Sequence, residues 1–64
     1  MKNFKLGDIV RIRKEWANSP AECDMTFRIV NVNDITNRYY IEWVESTSLF
    51  PPQELVSAEM IELV

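Results

Sequence analysis

Histidine is absent from this 64-residue chain, cysteine and glycine occur once each, and proline three times. Without histidine the usual general base is gone, and with it the Ser-His and Cys-His nucleophile pairs and most zinc and haem sites. A single glycine, Gly7, excludes the glycine-rich loops that cradle phosphates. The lone Cys23 has no partner for an internal disulfide, which fits a reducing cytoplasm. No apolar run approaches the roughly 20 residues that span a bilayer, and no charged-then-apolar signal segment opens the sequence. We therefore expect a cytoplasmic chain with no membrane partner. No EF-hand spacing or other recognisable carboxylate pair suggests a metal, and no cofactor is expected.

The chain that remains is small but well supplied with apolar residues. Hydrophobic residues make up 47% of it and seven are aromatic, enough to fold rather than stay disordered. A chain of this length has room for one domain, residues 1–64, with a radius of gyration of about 11 Å. A core and a deep pocket would compete for the same few side chains, so an enzyme is not expected.

Charge is unevenly spread. The net value is −3. Residues 1–16 carry Lys2, Lys5, Arg11, Arg13 and Lys14 against Asp8 and Glu15, a net of +3. Residues 17–64 carry only Arg28 and Arg38 against eight acids. Either the basic start lies beside the acidic end in the fold, or it forms a patch for nucleic acid or acidic lipid.

Residues 9–13 (IVRIR) alternate, with Val10 and Ile12 on one face and Arg11 and Arg13 on the other, the pattern of a half-buried strand. Gly7-Asp8 is the turn that starts it. Residues 17–25 are polar and read as an exposed loop. In residues 26–33 Phe27 and Ile29 share one face, whereas Val30 and Val32 share the opposite one. That switch means burial on both sides or a β-bulge. Turn formers at 33–37 lead into a third strand over residues 39–45, which places Tyr39, Ile41 and Trp43 on one face. Strands two and three should form a hairpin.

After Pro51-Pro52 two readings compete. One is a helix with Val56, Met60 and Leu63 on one side. The other is a 3₁₀ turn over residues 52–56 followed by a closing strand over 60–63. The closing strand is favoured, because it covers the exposed edge of the first strand and brings Glu59 or Glu62 to Arg11 or Arg13. The expected core is Val10, Ile12, Phe27, Ile29, Val32, Ile41, Trp43, Leu55, Val56 and Ile61.

Phe4-Lys5-Leu6-Gly7-Asp8-Ile9-Val10-Arg11-Ile12 resembles the GD-x-V-x-V opening of small SH3-like barrels. Phe50-Pro51-Pro52-Gln53-Glu54-Leu55-Val56 resembles the segment before their last strand. The chain also looks like small uncharacterised bacterial or phage proteins, through Glu15-Trp16 after the first strand and a closing pattern carried by Pro52, Val56, Met60 and Ile61. The resemblance implies an all-β fold: a small SH3-like barrel of four to five antiparallel strands with a 3₁₀ turn before the last. It implies no activity. Where SH3 domains carry Asn-Tyr in their peptide groove, this chain has Glu54-Leu55, so a proline-rich ligand is not implied.

Three functional expectations follow. The first is a non-enzymatic interaction module that binds a protein partner or its own copy, through a strand edge or the aromatic surface of Trp16 and Tyr40. Tyr40 shares a face with Glu42 and should be partly exposed, whereas Trp43 should fill the interior. The second is a nucleic-acid-binding barrel using Arg11, Arg13, Lys14 and Arg28, which the net charge disfavours. The third is an accessory subunit of a larger enzyme complex, one that shapes another chain's site; separately, Val10-Arg11-Ile12 and the Glu-Leu-Val endings resemble electron-transport accessory barrels. Cys23 lies between Glu22 and Asp24, which repel a thiolate, and reads as an exposed, unactivated thiol.

Overall fold

A computed structural model describes residues 4–64; Lys2, part of the basic start, lies outside them. The fold is all-β. Five strands, β1 (Ile9–Ile12), β2 (Phe27–Asn33), β3 (Arg38–Trp43), β4 (Gln53–Ser57) and β5 (Ile61–Leu63), form one antiparallel sheet in the order β4-β3-β2-β1-β5. Three 3₁₀ turns, Lys14–Trp16, Pro20–Asp24 and Ala58–Met60, supply the remaining regular structure among the described residues. The radius of gyration is 11.1 Å.

Local chemistry sets the turns. Gly7 sits at φ +87°, a left-handed conformation that glycine adopts without steric cost. Its neighbour Asp8 accepts the Lys5 N–H at Oδ2, 2.8 Å, while the Asp8 N–H donates to the Lys5 carbonyl at 3.0 Å. Between β2 and β3, Asn33 Oδ1 accepts the N–H groups of Ile35 (3.1 Å) and Thr36 (3.2 Å), and Asn37 takes φ 60°. Asparagine tolerates both roles, the side-chain turn and the left-handed residue.

The change of face in β2 is a bulge. Ile29 pairs with Ile41, but Asn31 pairs with Tyr40 and Val32 with Tyr39, so Val30 is the extra residue and Val32 returns to the Ile29 side. That slip explains why Phe27, Ile29 and Val32 face the interior although their spacing is not strictly alternate.

The closing strand is also present. β5 lies antiparallel to β1, with Val10 opposite Leu63, Arg11 opposite Glu62 and Ile12 opposite Ile61. The preceding residues differ from expectation. Gln53–Ser57 is a strand paired with β3, and the 3₁₀ turn falls later, at Ala58–Met60. Five strands laid flat would hold their edges about 19 Å apart. The four steps from Ser57 to Ile61, mostly 3₁₀, advance only about 8 Å. The sheet must therefore curl strongly so that Val56 and Ile61 enter one core. No ladder joins β4 to β5 among the described residues, so the curl stops short of hydrogen-bonded closure.

That core comprises Phe4, Val10, Ile12, Phe27, Ile29, Tyr39, Ile41, Val56 and Ile61. Three expected members lie elsewhere. Leu55 and Val56 are neighbours in a strand and must face opposite ways, so Val56 is buried and Leu55 is 46% exposed. Trp43 is 37% exposed because it ends β3 beyond the last β4 pair, Glu42 with Gln53, and no strand covers it there. Val32 is half-buried and packs against the core from the hairpin end. Two unexpected members replace them. Tyr39 takes its inner-face place, and Phe4 packs edge-on against it with ring centroids 5.5 Å apart and planes at 89°. The Phe4 N–H also donates to Tyr39 Oη at 3.3 Å, which gives the buried phenol a partner.

Residues 17–25 are less open than a plain loop. Pro20–Asp24 forms a 3₁₀ turn, Ala17 and Met25 pack against the core, and Cys23 is half-buried.

Candidate functional site

Three of the four cationic residues singled out in the sequence, Arg11, Arg13 and Arg28, are brought close to acids. Arg11 and Arg28 lie on the outer face of β1 and β2, since their neighbours Val10, Ile12, Phe27 and Ile29 point inward. Arg11 Nε donates to Glu62 Oε2 at 2.6 Å across the β1–β5 ladder. Arg13 Nε lies 3.4 Å from Glu15 and 4.0 Å from Glu62. Arg28 faces Glu42, its cross-strand partner, at 3.7 Å. Exposed pairs of this kind contribute about 0–1 kcal/mol each. Their larger effect is on the field: three guanidiniums meet three carboxylates, and the face presents little net positive charge. Lys14 alone of the four makes no ion pair among the described residues.

Arg11 and Lys14 also line an open groove of about 630 Å³ between β1, β5 and the Pro20–Asp24 turn. Asn18 and Cys23 lie along it, and Asp24 and Glu62 oppose the two cations. Two positive and two negative side chains leave no preference for an anion. Among the described residues no three His, Cys, Asp or Glu side chains gather as metal ligands.

Trp16 and Tyr40 are not neighbours in the sheet. Tyr40 is half-buried at the centre of β3, between Asn31 on β2 and Leu55 on β4. Trp16 is exposed in the turn that follows β1, a strand that does not pair with β3.

The exposed apolar surface concentrates elsewhere. Among the described residues eleven large hydrophobic side chains are exposed, and five of them, Trp43, Val44, Leu49, Phe50 and Leu55, fall within residues 43–55. Leu49 is 92% exposed and Phe50 89%. The segment follows from its sequence: Pro51-Pro52 cannot donate ladder hydrogen bonds, so the chain between β3 and β4 stays off the sheet. Ser48 N–H donates to Ser46 Oγ (3.2 Å) and Phe50 N–H to Ser48 Oγ (3.4 Å), local turns that hold the two apolar side chains outward. The signal is the adjacent pair Leu49-Phe50 just before a double proline, which keeps that stretch of chain off the sheet.

Next to this segment a polar clasp ties the residue before β2 to the chain that follows β3. Thr26 Oγ1 donates to Glu45 Oε2 at 2.6 Å, and Thr26 N–H to Glu45 Oε1 at 3.3 Å. The Thr26 hydroxyl holds the Glu45 carboxyl below its ordinary pKa, more strongly than desolvation raises it. A group whose pKa is depressed on folding stabilises above its unfolded value, about 4.3 for glutamate, and loses that contribution as pH falls through the folded value. Wild type should therefore be more stable than Thr26→Val at neutral pH. The gap should close as the pH is lowered below about 4, measured by urea unfolding at a series of pH values. A gap independent of pH would show that Glu45 is not the group involved.

No helix among the described residues is long and apolar enough to cross a membrane. Comparison of the chain with family models, curated proteins and solved structures finds no match.

Proposed function

We propose that this chain is a small non-enzymatic interaction module that binds a protein partner through residues 43–55. The observation that carries this reading is the near-complete exposure of the adjacent Leu49 and Phe50. Burying each such side chain contributes about 1.5–3 kcal/mol, which a partner gains and the free chain forgoes. Two adjacent large apolar side chains left in water to this degree fit a contact site. The contact surface is thus centred on Leu49 and Phe50, with Leu55 and Tyr40 beside it on the outer face of β4 and β3, and Trp16 outside it. Nothing favours nucleic acid as the partner in this reading, since Arg11, Arg13 and Arg28 already meet carboxylates.

The same reading takes the sheet as an SH3-like small barrel. The strand order, the strong curl and the 3₁₀ turn before β5 support it. The unpaired thiol of Cys23 supports a cytoplasmic location.

The test is affinity capture from the source cells at high salt, comparing wild type with the double variant Leu49→Asp/Phe50→Asp. Both positions are almost fully exposed, so the variant should fold normally. We expect a protein retained by wild type at high salt and its retention reduced by about tenfold or more in the variant, as for a hot-spot pair. Undiminished retention by the variant would overturn this surface. Retention of nucleic acid alone, at low salt only, would transfer the function to the Lys14 side of the molecule.

A further inference from the structure

We propose that Thr26 is a positioning residue of the contact surface: bound to Glu45, it anchors a series of hydrogen bonds that holds residues 44–50 in one shape before a partner arrives. This rests on residues 43–55 being a protein-contact surface, and it adds what keeps that surface in order.

Residues 44–52 belong to no strand and no 3₁₀ turn. A free connection of that length samples many conformations, and a partner that fixes it must meet the entropy cost. This one is tied at short intervals. At its start Thr26 binds two successive residues. Its carbonyl accepts the Val44 N–H at 3.0 Å, and its hydroxyl and N–H donate to the two oxygens of the Glu45 carboxylate. Phe27 is paired with Trp43, so Thr26 carries the β2–β3 pairing one residue further, with a side-chain carboxylate in place of the next carbonyl. The Ser46 N–H then donates to the Trp43 carbonyl at 3.3 Å, the Ser48 N–H to Ser46 Oγ and the Phe50 N–H to Ser48 Oγ. Beyond Phe50, the rings of Pro51 and Pro52 fix φ up to the start of β4 at Gln53.

The serine bonds are local: each joins residues two apart and sets the shape of the segment, not its direction from the sheet. Direction comes from Thr26, which alone of the series lies outside residues 43–50. It is half-buried beside β2, whereas Glu45, Ser48, Leu49 and Phe50 are exposed. The bond from its hydroxyl to the carboxylate is the shortest of the series at 2.6 Å, and a charged acceptor makes it stronger than the neutral serine bonds. Removing that hydroxyl leaves the turns intact and frees the segment to swing. When only a fraction of molecules holds the binding shape, apparent affinity falls by that fraction.

The experiment is backbone ¹⁵N relaxation of the free chain, well below its unfolding midpoint, for wild type, Thr26→Val and Thr26→Ser. In wild type the amides of residues 44–50 should show order parameters of about 0.8; in Thr26→Val those of residues 45–50 should fall to about 0.6 or below, with β2 and β3 unchanged. Thr26→Ser, which keeps the hydroxyl, should match wild type. A loop already mobile in wild type, a loop equally ordered in Thr26→Val, loosening spread over the whole sheet, or Thr26→Ser behaving like Thr26→Val would each overturn the proposal. If Thr26→Val fails to fold, Ser48→Ala at an exposed position decides: it should loosen Leu49 and Phe50 alone, and no change there overturns the series. A photo-crosslinking amino acid at Phe50 in the source cells separates this from the reading beneath it. The yield of protein adduct should fall by about threefold to tenfold in Thr26→Val. An undiminished yield overturns the positioning role and leaves the contact surface standing. An ordered wild-type loop that gives no adduct removes the contact surface, and with it any positioning role for Thr26.

Discussion

Ile41→Ala should lower the midpoint of thermal unfolding by about 12–24 °C, the equivalent of about 3 kcal/mol in a domain of this size. Ile41 is completely buried and lies at the middle of the sheet, opposite Ile29 on one side and Glu54 on the other. Removing three carbons there leaves a cavity walled by β-branched side chains on hydrogen-bonded strands, which cannot collapse into it. A single domain of 64 residues has a total stability of only about 3–10 kcal/mol, so the loss is a large share. Chemical denaturation with tryptophan fluorescence measures it directly. A loss below about 1 kcal/mol would mean that the centre of the core is not at this pair.

Phe4→Ala should cost about 3 kcal/mol as well, although Phe4 precedes every strand. Its ring closes the core beside Tyr39, and the edge-to-face contact adds to the area that it buries. Loss of the ring also opens Tyr39 Oη to water and loosens the segment whose N–H it accepts. Truncation through residue 4 should reproduce the effect, read as the same drop in denaturant midpoint. A truncated chain as stable as the whole would show that the contact does not hold the first strand in place.

These two positions differ in how visible they are in the sequence. Ile41 lies in a strand with clean alternation, and period-two patterning assigns it to the interior at once. Phe4 lies in no repeating pattern. Its burial depends on Gly7 turning the chain at φ +87° and on Gly7 N–H donating to the Ile29 carbonyl at 2.9 Å, a tertiary event. The bulge in β2 was visible as a change of face between Ile29 and Val30, and only the register of β3 decides it against burial on both sides.

The end of the chain shows a different kind of ambiguity. The closing strand was legible through charge, because Glu62 needed a cation and Arg11 stood on a matching outer face. Reading residues 52–56 as a 3₁₀ turn put Leu55 and Val56 together in the core, which a strand forbids. The same misplacement hid β4, and with it the free edge. Strand alternation alone puts Trp43 on the interior face with Tyr39 and Ile41. Its exposure comes from where β4 begins, and β4 begins at Gln53 because Pro51-Pro52 bars an earlier start.

Of the site, exposure at Trp16 and Tyr40 was legible, but the position of each depends on which strands pair, and no local pattern reports that. The basic face was legible as a cluster, whereas its neutralisation needs the β1–β5 and β2–β3 registers. Leu49 and Phe50 carry no periodic signal. What marks them is their position as two adjacent large apolar residues just before Pro51-Pro52, which keeps that stretch off the sheet.

The central claim is that residues 43–55 meet another polypeptide. The most direct measurement places a photo-crosslinking amino acid at Phe50 in living source cells, with the same substitution at Ile35 as control. Ile35 is 96% exposed at the tip of the β2–β3 turn, and no stretch of exposed apolar residues surrounds it. The account predicts a discrete protein adduct from position 50 and none from position 35. Equal adducts from both positions, or none from position 50, would contradict it.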